Sequence, residues 1–131
     1  MTTGHSRDFA MKSLQAADDM LADARLMLHN TRLKSAADRA YYAMFHAAQA
    51  VLALEVERLP KSHRGMRTLF SQHLIATKKL DRQLSQDLAY AFELRQASTY
   101  EVESTFGLDA VEDVIEKAER FIQTVRPLIV S

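Results

Sequence analysis

The stretch AYYAMFHAAQAVLAL, residues 40–54, decides the fold of this chain. Only His46 and Gln49 are strongly polar among its 15 residues. A helix that is apolar nearly all round is packed on several sides, and 15 residues are too few to span a bilayer. The same helix is predicted to begin near Leu33 and to end at Leu54. Its many alanines let neighbouring backbones approach closely, so we expect it at the centre of a helical bundle.

The two ends of the chain each carry a long amphipathic pattern. Apolar residues at steps of three and four predict a first helix from about Ser6 to His29, with Ser6 as its N-cap. The last helix is predicted to begin after Gly107 and to end near Pro127. The inward stripe of the first helix is Ala10, Leu14, Ala17, Leu21, Ala24 and Leu28. The inward stripe of the last helix is Leu108, Val111, Ile115, Ala118, Ile122 and Val125.

Two shorter helical segments are predicted between these. Pro60 marks a connection, after which Ser62 can cap a third helix that continues to Ile75. Its inward residues are predicted to be Met66, Leu69, Phe70 and Leu74. Asp81 can cap a fourth helix that ends at about Ser98.

Composition favours helices over strands. The chain has 131 residues, of which 47% are apolar and 26% charged, so we predict one globular domain over residues 1–131. It contains three glycines and two prolines, whereas a sandwich or barrel needs many turns. The predicted fold class is therefore all-α, with long helices and short connections.

Several classes of function are disfavoured by the sequence. The absence of cysteine excludes disulfides and thiolate metal sites, and a cytoplasmic location is the simplest expectation. Charged Arg7, Asp8 and Lys12 interrupt any signal-peptide pattern, so neither secretion nor membrane insertion is predicted. We find no Gly-rich phosphate loop, nucleophile elbow or His-Glu-x-x-His helix, and the five histidines lack metal spacing. No cofactor and no metal are predicted.

Charge is unevenly distributed although the net charge is zero. From Arg58 to Leu80 there are six lysines and arginines, two histidines and no acid. From Glu101 to Glu119 there are seven acids and one base. These segments are either solvated faces that oppose each other within or between subunits, or the basic one attracts phosphate. The six cations are Arg58, Lys61, Arg64, Arg67, Lys78 and Lys79.

Arg95 is the most informative single residue. It follows Ala91 by four positions and Leu88 by seven, so it falls in the apolar stripe of its helix. One interpretation is a buried stem whose head pairs with Asp or Glu. The other is a phosphate-binding arginine at a subunit junction. Tyr100, five residues later, can stack on a base, donate to phosphate or simply close the bundle.

The histidines offer further candidates. His63 lies beside Lys61 and Arg64 at a predicted helix start, where backbone N–H groups bind anions, so these residues and Arg67 are candidate phosphate contacts. His46 is either a hydrogen-bonded core histidine or a proton-transfer group.

Three stretches resemble the motifs of HEPN-domain proteins. They are SAADRAYYAMFHAA at residues 35–48, PKSHRG at 60–65 and FELRQASTY at 92–100. They follow the order of the family's second helix, the loop into its third helix and the end of its fourth. The resemblance covers about Phe9 to Leu128.

This resemblance implies an up-and-down bundle of four long helices with an extra short one, dimerised through the central helices. Many members of the family are metal-independent endoribonucleases whose site combines an Arg, a polar spacer and a His from both subunits, and others are noncatalytic. Small members are often encoded beside a minimal nucleotidyltransferase in a toxin–antitoxin-like pair. Arg95 matches the Arg, but Tyr100 occupies the nearest position to the His. A tyrosine is a poor general base at neutral pH because its ordinary pKa is about 10.

Three functions follow, in order of preference. The first is a homodimer, formed through the second and fourth helices, that pairs with a nucleotidyltransferase and engages nucleotide or RNA phosphate at Arg95 without cleavage. The second is an endoribonuclease toxin in which Tyr100, His46 or His63 replaces the base. The third is a ligand-free helical assembly module. In a noncatalytic protein, Arg95 is expected to pair at the dimer junction with a carboxylate such as Asp38.

Overall fold

The helices predicted from the sequence are present in the three-dimensional structure. A computed structural model describes residues 4–100 and 107–130, and side chains within 6–98 and 107–130. Across these ranges the chain forms five α-helices and a short π-helical turn, with no β-strand. The all-α prediction and the arrangement of four long helices with a short extra one are confirmed. The elements are α1 Gly4–His29, α2 Leu33–Leu52, α3 His63–Phe70, the π-turn Ser71–Ile75, α4 Arg82–Tyr100 and α5 Leu108–Ile129.

Helix α2 lies at the centre of the bundle, as its apolar composition predicts. It packs against α1, α3, α4 and α5 of the same chain. Ala40, Ala43 and Ala47 have no exposed surface, so small side chains do bring the neighbouring helices close. The chain's own helices cover most of α2.

The terminal helices α1 and α5 run antiparallel and bury the predicted stripes against α2. Ion pairs join them at the surface, between Asp18 and Arg126 at 2.6 Å and between Arg25 and Glu119. One predicted inward residue is wrong: Leu108 is 50% exposed. It is the first residue of α5, at the end of the bundle.

Helix boundaries differ from the predictions by about two residues. Helix α1 begins at Gly4, so Ser6 lies inside its first turn and the predicted N-cap is wrong. The first N–H groups of a helix need no intrahelical acceptor, so the turn can extend this way. Helix α2 ends at Leu52. Pro127 lies within α5, which continues to Ile129, since a proline in the last turn disturbs few backbone hydrogen bonds.

The region between α2 and α4 contains the largest local surprise. Ser62 and Asp81 act as predicted: Ser62 Oγ accepts from Gly65 N at 2.9 Å and Asp81 Oδ1 from Gln83 N at 2.7 Å. The third helix is nevertheless not α-helical to Ile75, because it changes to a π-turn after Phe70.

No helix in the described part of the chain is long and apolar enough to cross a membrane.

Candidate functional site

The carboxylate of Asp38 on α2 joins the two central helices. Its Oδ1 accepts a hydrogen bond from Arg95 Nε of α4 at 2.7 Å, and its Oδ2 accepts one from Nη1 of the adjacent Arg39 at 3.0 Å. The Arg95 side chain is 26% exposed, so the pair lies at the edge of the core. The predicted pairing of Arg95 with Asp38 is confirmed, and it forms within one chain because α2 and α4 pack side by side.

His63, the first residue of α3, is half-buried against aromatic rings of α2 and α4. Its ring centroid lies 4.9 Å from that of Phe45 and 5.6 to 6.0 Å from those of Tyr41, Tyr42 and Phe92. Its Nδ1 shares a hydrogen bond of 2.7 Å with the Tyr41 hydroxyl. Because Tyr41 is fully buried, this bond ties the start of α3 to the centre of the bundle.

Two arginines pack against the same aromatic rings. Arg67 Cζ lies 4.2 Å from the Phe92 ring centroid, and Arg95 Cζ lies 5.1 Å from that of Tyr42. A guanidinium over a ring face is attracted by the ring quadrupole, with about 0.5–1 kcal/mol at exposed sites. The rings therefore hold two positive charges close to His63. We call Arg67, Arg95 and His63 the Arg–His cluster.

The turn into α3 has a close approach at Gly65. A Cβ added at Gly65 would lie 2.9 Å from Ser62 Oγ and 3.0 Å from Pro60 Cβ. Glycine therefore allows the first turn of α3 to close over Pro60, while Ser62 caps the helix. His63, which directly follows the cap residue, contacts Tyr41 and Phe45 of α2.

Burial and charge set the protonation states of the cluster. Burial, together with the charges of Arg95 and Arg67, lowers the pKa of His63 below its ordinary 6.5, so the imidazole is neutral at pH 7. Burial raises the pKa of Tyr41 to about 12, so its hydroxyl stays protonated. The hydrogen bond to Asp38 raises the pKa of Arg95. At neutral pH the cluster therefore presents two guanidinium groups beside a neutral imidazole.

We expect acid to destabilise the fold through His63. Its pKa is lower in the folded chain than the unfolded value of 6.5, so below that pH the unfolded chain takes up the proton first. The contribution of neutral His63 to the free energy of unfolding is complete above pH 6.5. It is lost as the pH falls towards the pKa of His63 in the folded chain. Urea unfolding from about pH 7.5 to about pH 5 should show a larger loss of stability in the wild type than in His63→Gln. An equal loss in both proteins would contradict this assignment.

The structure brings together some of the predicted site residues and separates others. Arg95, Arg67 and His63 form one cluster. Lys61 and Arg64 are exposed at the start of α3, which is consistent with phosphate contacts at the rim. The side chain of Tyr100, the second predicted catalytic residue, lies outside the described residues.

Lys79 and His46 are not members of the Arg–His cluster. Lys79 pairs with Glu55, so the basic segment is partly neutralised by an acid from outside it. His46 is half-buried, with Nδ1 3.4 Å from Gln49 Oε1, on the more exposed side of α2. It is therefore hydrogen-bonded, as one of the two interpretations expected, but it lies at the edge of the core and not inside it.

Sequence reasoning missed the aromatic scaffold. Tyr41, Phe45 and Phe92 were seen as core residues or parts of a motif, and their contacts with His63 require α2, α3 and α4 to meet. One signal was available: Asp38 and Tyr42 are four residues apart, hence on one face of α2, and both contact Arg95. Among the described residues, no group of three or more histidines and acids is placed to hold a metal ion.

Comparisons with known proteins agree on one family. The family model described as the HEPN domain matches residues 10–128. A "UPF0332 protein" of Thermotoga maritima is 34% identical over 86% of this chain and 85% of its own length. "Putative toxin MJ0142" of Methanocaldococcus jannaschii is 28% identical over 93% of this chain and 78% of its own length. "Putative toxin MJ0605" of the same organism is 26% identical over 86% and 83%. The chain belongs to the HEPN-domain family.

Proposed function

We propose that this chain is the toxin-like member of a toxin–antitoxin-like pair, partnered by a minimal nucleotidyltransferase. In this proposal it binds the phosphate of a nucleotide or RNA at the Arg–His cluster and does not cleave it. The names of two relatives as toxins support the first part. The geometry of the cluster supports the second.

The observation that carries the proposal is the fixed pair of guanidinium groups, Arg67 and Arg95, beside His63. Guanidinium groups match phosphate geometry and remain charged at any physiological pH. Both are held on aromatic rings, and Arg95 is also oriented by Asp38, so little side-chain freedom is lost when an anion binds. Tyr42, half-buried in the same group, offers an aromatic face for a base.

Binding without cleavage is supported by the protonation state of Tyr41 and by the hydrogen bond that His63 already makes. Tyr41 holds its proton up to a pKa of about 12, so it cannot act as a base at neutral pH. The Nδ1 atom of His63 is already bonded to the Tyr41 hydroxyl. Two guanidinium groups supply charge but no proton transfer.

A second candidate, metal-independent endoribonuclease, is favoured by one observation. His63 is next to both arginines and has a lowered pKa, so it is in the neutral form that a general base requires. Among the histidines proposed earlier as replacements, the structure favours His63 over His46 for this role.

Cleavage of RNA in EDTA separates the two candidates. We expect no cleavage by the wild type, together with RNA binding that is lost in Arg95→Ala. Cleavage that disappears in both Arg95→Ala and His63→Gln would instead establish the endoribonuclease. If the protein neither binds nor cleaves RNA, the third function, a ligand-free helical assembly module, would be supported. Coexpression with a nucleotidyltransferase encoded next to this gene tests the pairing, and failure to copurify would contradict it.

Charge reversal at the start of α3 should weaken RNA binding strongly. The double variant Arg64→Glu/Arg67→Glu replaces two cations by two anions. Arg64 is exposed at the start of α3, and Arg67 belongs to the Arg–His cluster. Since phosphate contacts release counterions, the wild-type affinity should fall with salt, and the variant should show a shallower salt dependence. Fluorescence anisotropy with a short labelled single-stranded RNA measures both. An unchanged RNA affinity would show that the start of α3 does not contact the RNA.

We also propose a homodimer formed through α2 and α4. The support is the half-buried stripe of Tyr42, Phe45, His46 and Gln49, which lies on one face of α2 and remains partly open to solvent. Sedimentation should show a dimer at micromolar concentration that Phe45→Glu dissociates. A wild-type monomer at that concentration would rule out the dimer.

A further inference from the structure

A second basic surface lies next to the Arg–His cluster. A depression of about 360 Å³ opens between the start of α2 and the end of α4. Its lining contains two cations, Lys34 and Arg39, and two hydroxyls, Ser35 and Ser98, around the Asp38 carboxylate. Lys34, Arg39 and the Ser35 hydroxyl are groups that donate to phosphate oxygens, whereas the Ser98 hydroxyl donates to the Arg95 carbonyl at 2.7 Å.

The ion pairs around Asp38 leave this surface positive. One carboxylate is shared by Arg95 and Arg39, one guanidinium on each oxygen. Lys34 is exposed one helical turn before Asp38, so the lining of the depression carries two cations, Lys34 and Arg39, and one acid. One carboxylate does not neutralise two cations, and the excess charge favours an anion.

This depression adjoins the Arg–His cluster on one side and a second depression on the other. Asp38 lines the depression and binds Arg95, so the two sites share a wall. Lys34 lies about 6 Å from Asp38 along the axis of α2, a displacement of the order of one nucleotide step. On its far side, Ser35 also lines a neighbouring depression of about 480 Å³, where Leu26 and Met27 give an apolar wall and Asn30 and Arg32 polar ones.

We propose that the depression around Lys34, Ser35, Arg39 and Ser98 is a second phosphate subsite, so that this face takes a single-stranded RNA segment of at least two nucleotides. The inference rests on the proposed function, in which the Arg–His cluster holds the first phosphate. The neighbouring depression would receive a base beyond the second phosphate. A mononucleotide fills only the first subsite.

The test compares two probes and two matched double variants. The probes are AMP, followed by calorimetry, and a short labelled single-stranded RNA, followed by anisotropy at several salt concentrations. The double variant Lys34→Ala/Arg39→Ala removes both positive charges from the lining of the second subsite. Arg7→Ala with Lys12→Ala removes the same charge from exposed positions near the start of α1, at the opposite end of that helix from the turn into α2. Thermal unfolding shows that both variants are folded.

We expect the Lys34/Arg39 variant to bind RNA at least tenfold more weakly and AMP as well as the wild type does. The slope of log affinity against log salt should become shallower by about 1.4, from about 0.7 for each of two lost contacts to a single strand. The Arg7/Lys12 variant should behave as the wild type. An RNA affinity and slope equal to the control's, or an equal loss of AMP binding, would overturn the second subsite. Failure of the wild type to bind either probe would overturn the proposed function as well.

Discussion

Replacing Arg95 by alanine should weaken RNA and nucleotide binding at least tenfold while changing the melting temperature by less than about 5 °C. A hydrogen bond to a charged group contributes about 1.5–3 kcal/mol, which corresponds to a factor of ten or more in affinity. The fold should tolerate the change because Asp38 keeps its second partner, Arg39, at 3.0 Å. A partly exposed ion pair contributes only about 0–1 kcal/mol. Anisotropy and thermal unfolding on the same preparation measure the two effects.

Arg120→Ala is the matched control for this prediction. Like Arg95, Arg120 forms an ion pair with one carboxylate: its Nη2 lies 3.1 Å from Asp87 Oδ2. The Asp87 side chain, however, is only 3% exposed. After the substitution, Gln83 remains as the described hydrogen-bond donor to Asp87, at 2.8 Å, so we expect a loss of about 1–3 kcal/mol of stability. RNA affinity should be unchanged. If Arg95→Ala instead unfolds the protein as much as Arg120→Ala does, Arg95 is a structural residue and the binding proposal loses its main support.

Phe121→Ala should cause the largest loss of stability, about 3–5 kcal/mol, and lower the melting temperature by roughly 10–20 °C. Phe121 is 1% exposed and stacks on Phe70 with ring centroids 5.5 Å apart. Truncation leaves a cavity between α5 and α3 that rigid helices cannot collapse to fill. Urea unfolding, with the free energy extrapolated to water, measures the loss.

Leu108→Ala is the corresponding control on the same helix. The sequence pattern places Leu108 in the inward stripe of α5, yet it is 50% exposed, so its truncation should cost less than about 0.5 kcal/mol. Comparable losses at Leu108 and Phe121 would mean that the sequence pattern, and not the described packing, gives the true buried face.

The sequence by itself determined the helices and their inward faces. Apolar spacing of three and four residues requires a buried stripe, and the alanine-rich run at 40–54 could be satisfied only at the centre of a bundle. Capping by Ser62 and Asp81 was also predictable, since it depends on local hydrogen bonds. The family followed from three motifs in order, because such motifs are linear in the chain.

Tertiary structure alone decided which residues form the site. Asp38 was one partner expected for Arg95, but the two residues are 57 positions apart, and Tyr41 and His63 are 22 apart, so both contacts depend on how the helices pack. The pKa of His63 depends on burial by rings from α2 and α4 and on the charge of Arg95 from α4, as well as on Arg67 of its own helix, so most of its environment comes from other helices. Periodicity specifies the face on which a side chain lies, whereas the packing of helices against one another specifies what that side chain meets. The Arg–His cluster therefore exists only once α2, α3 and α4 have come together.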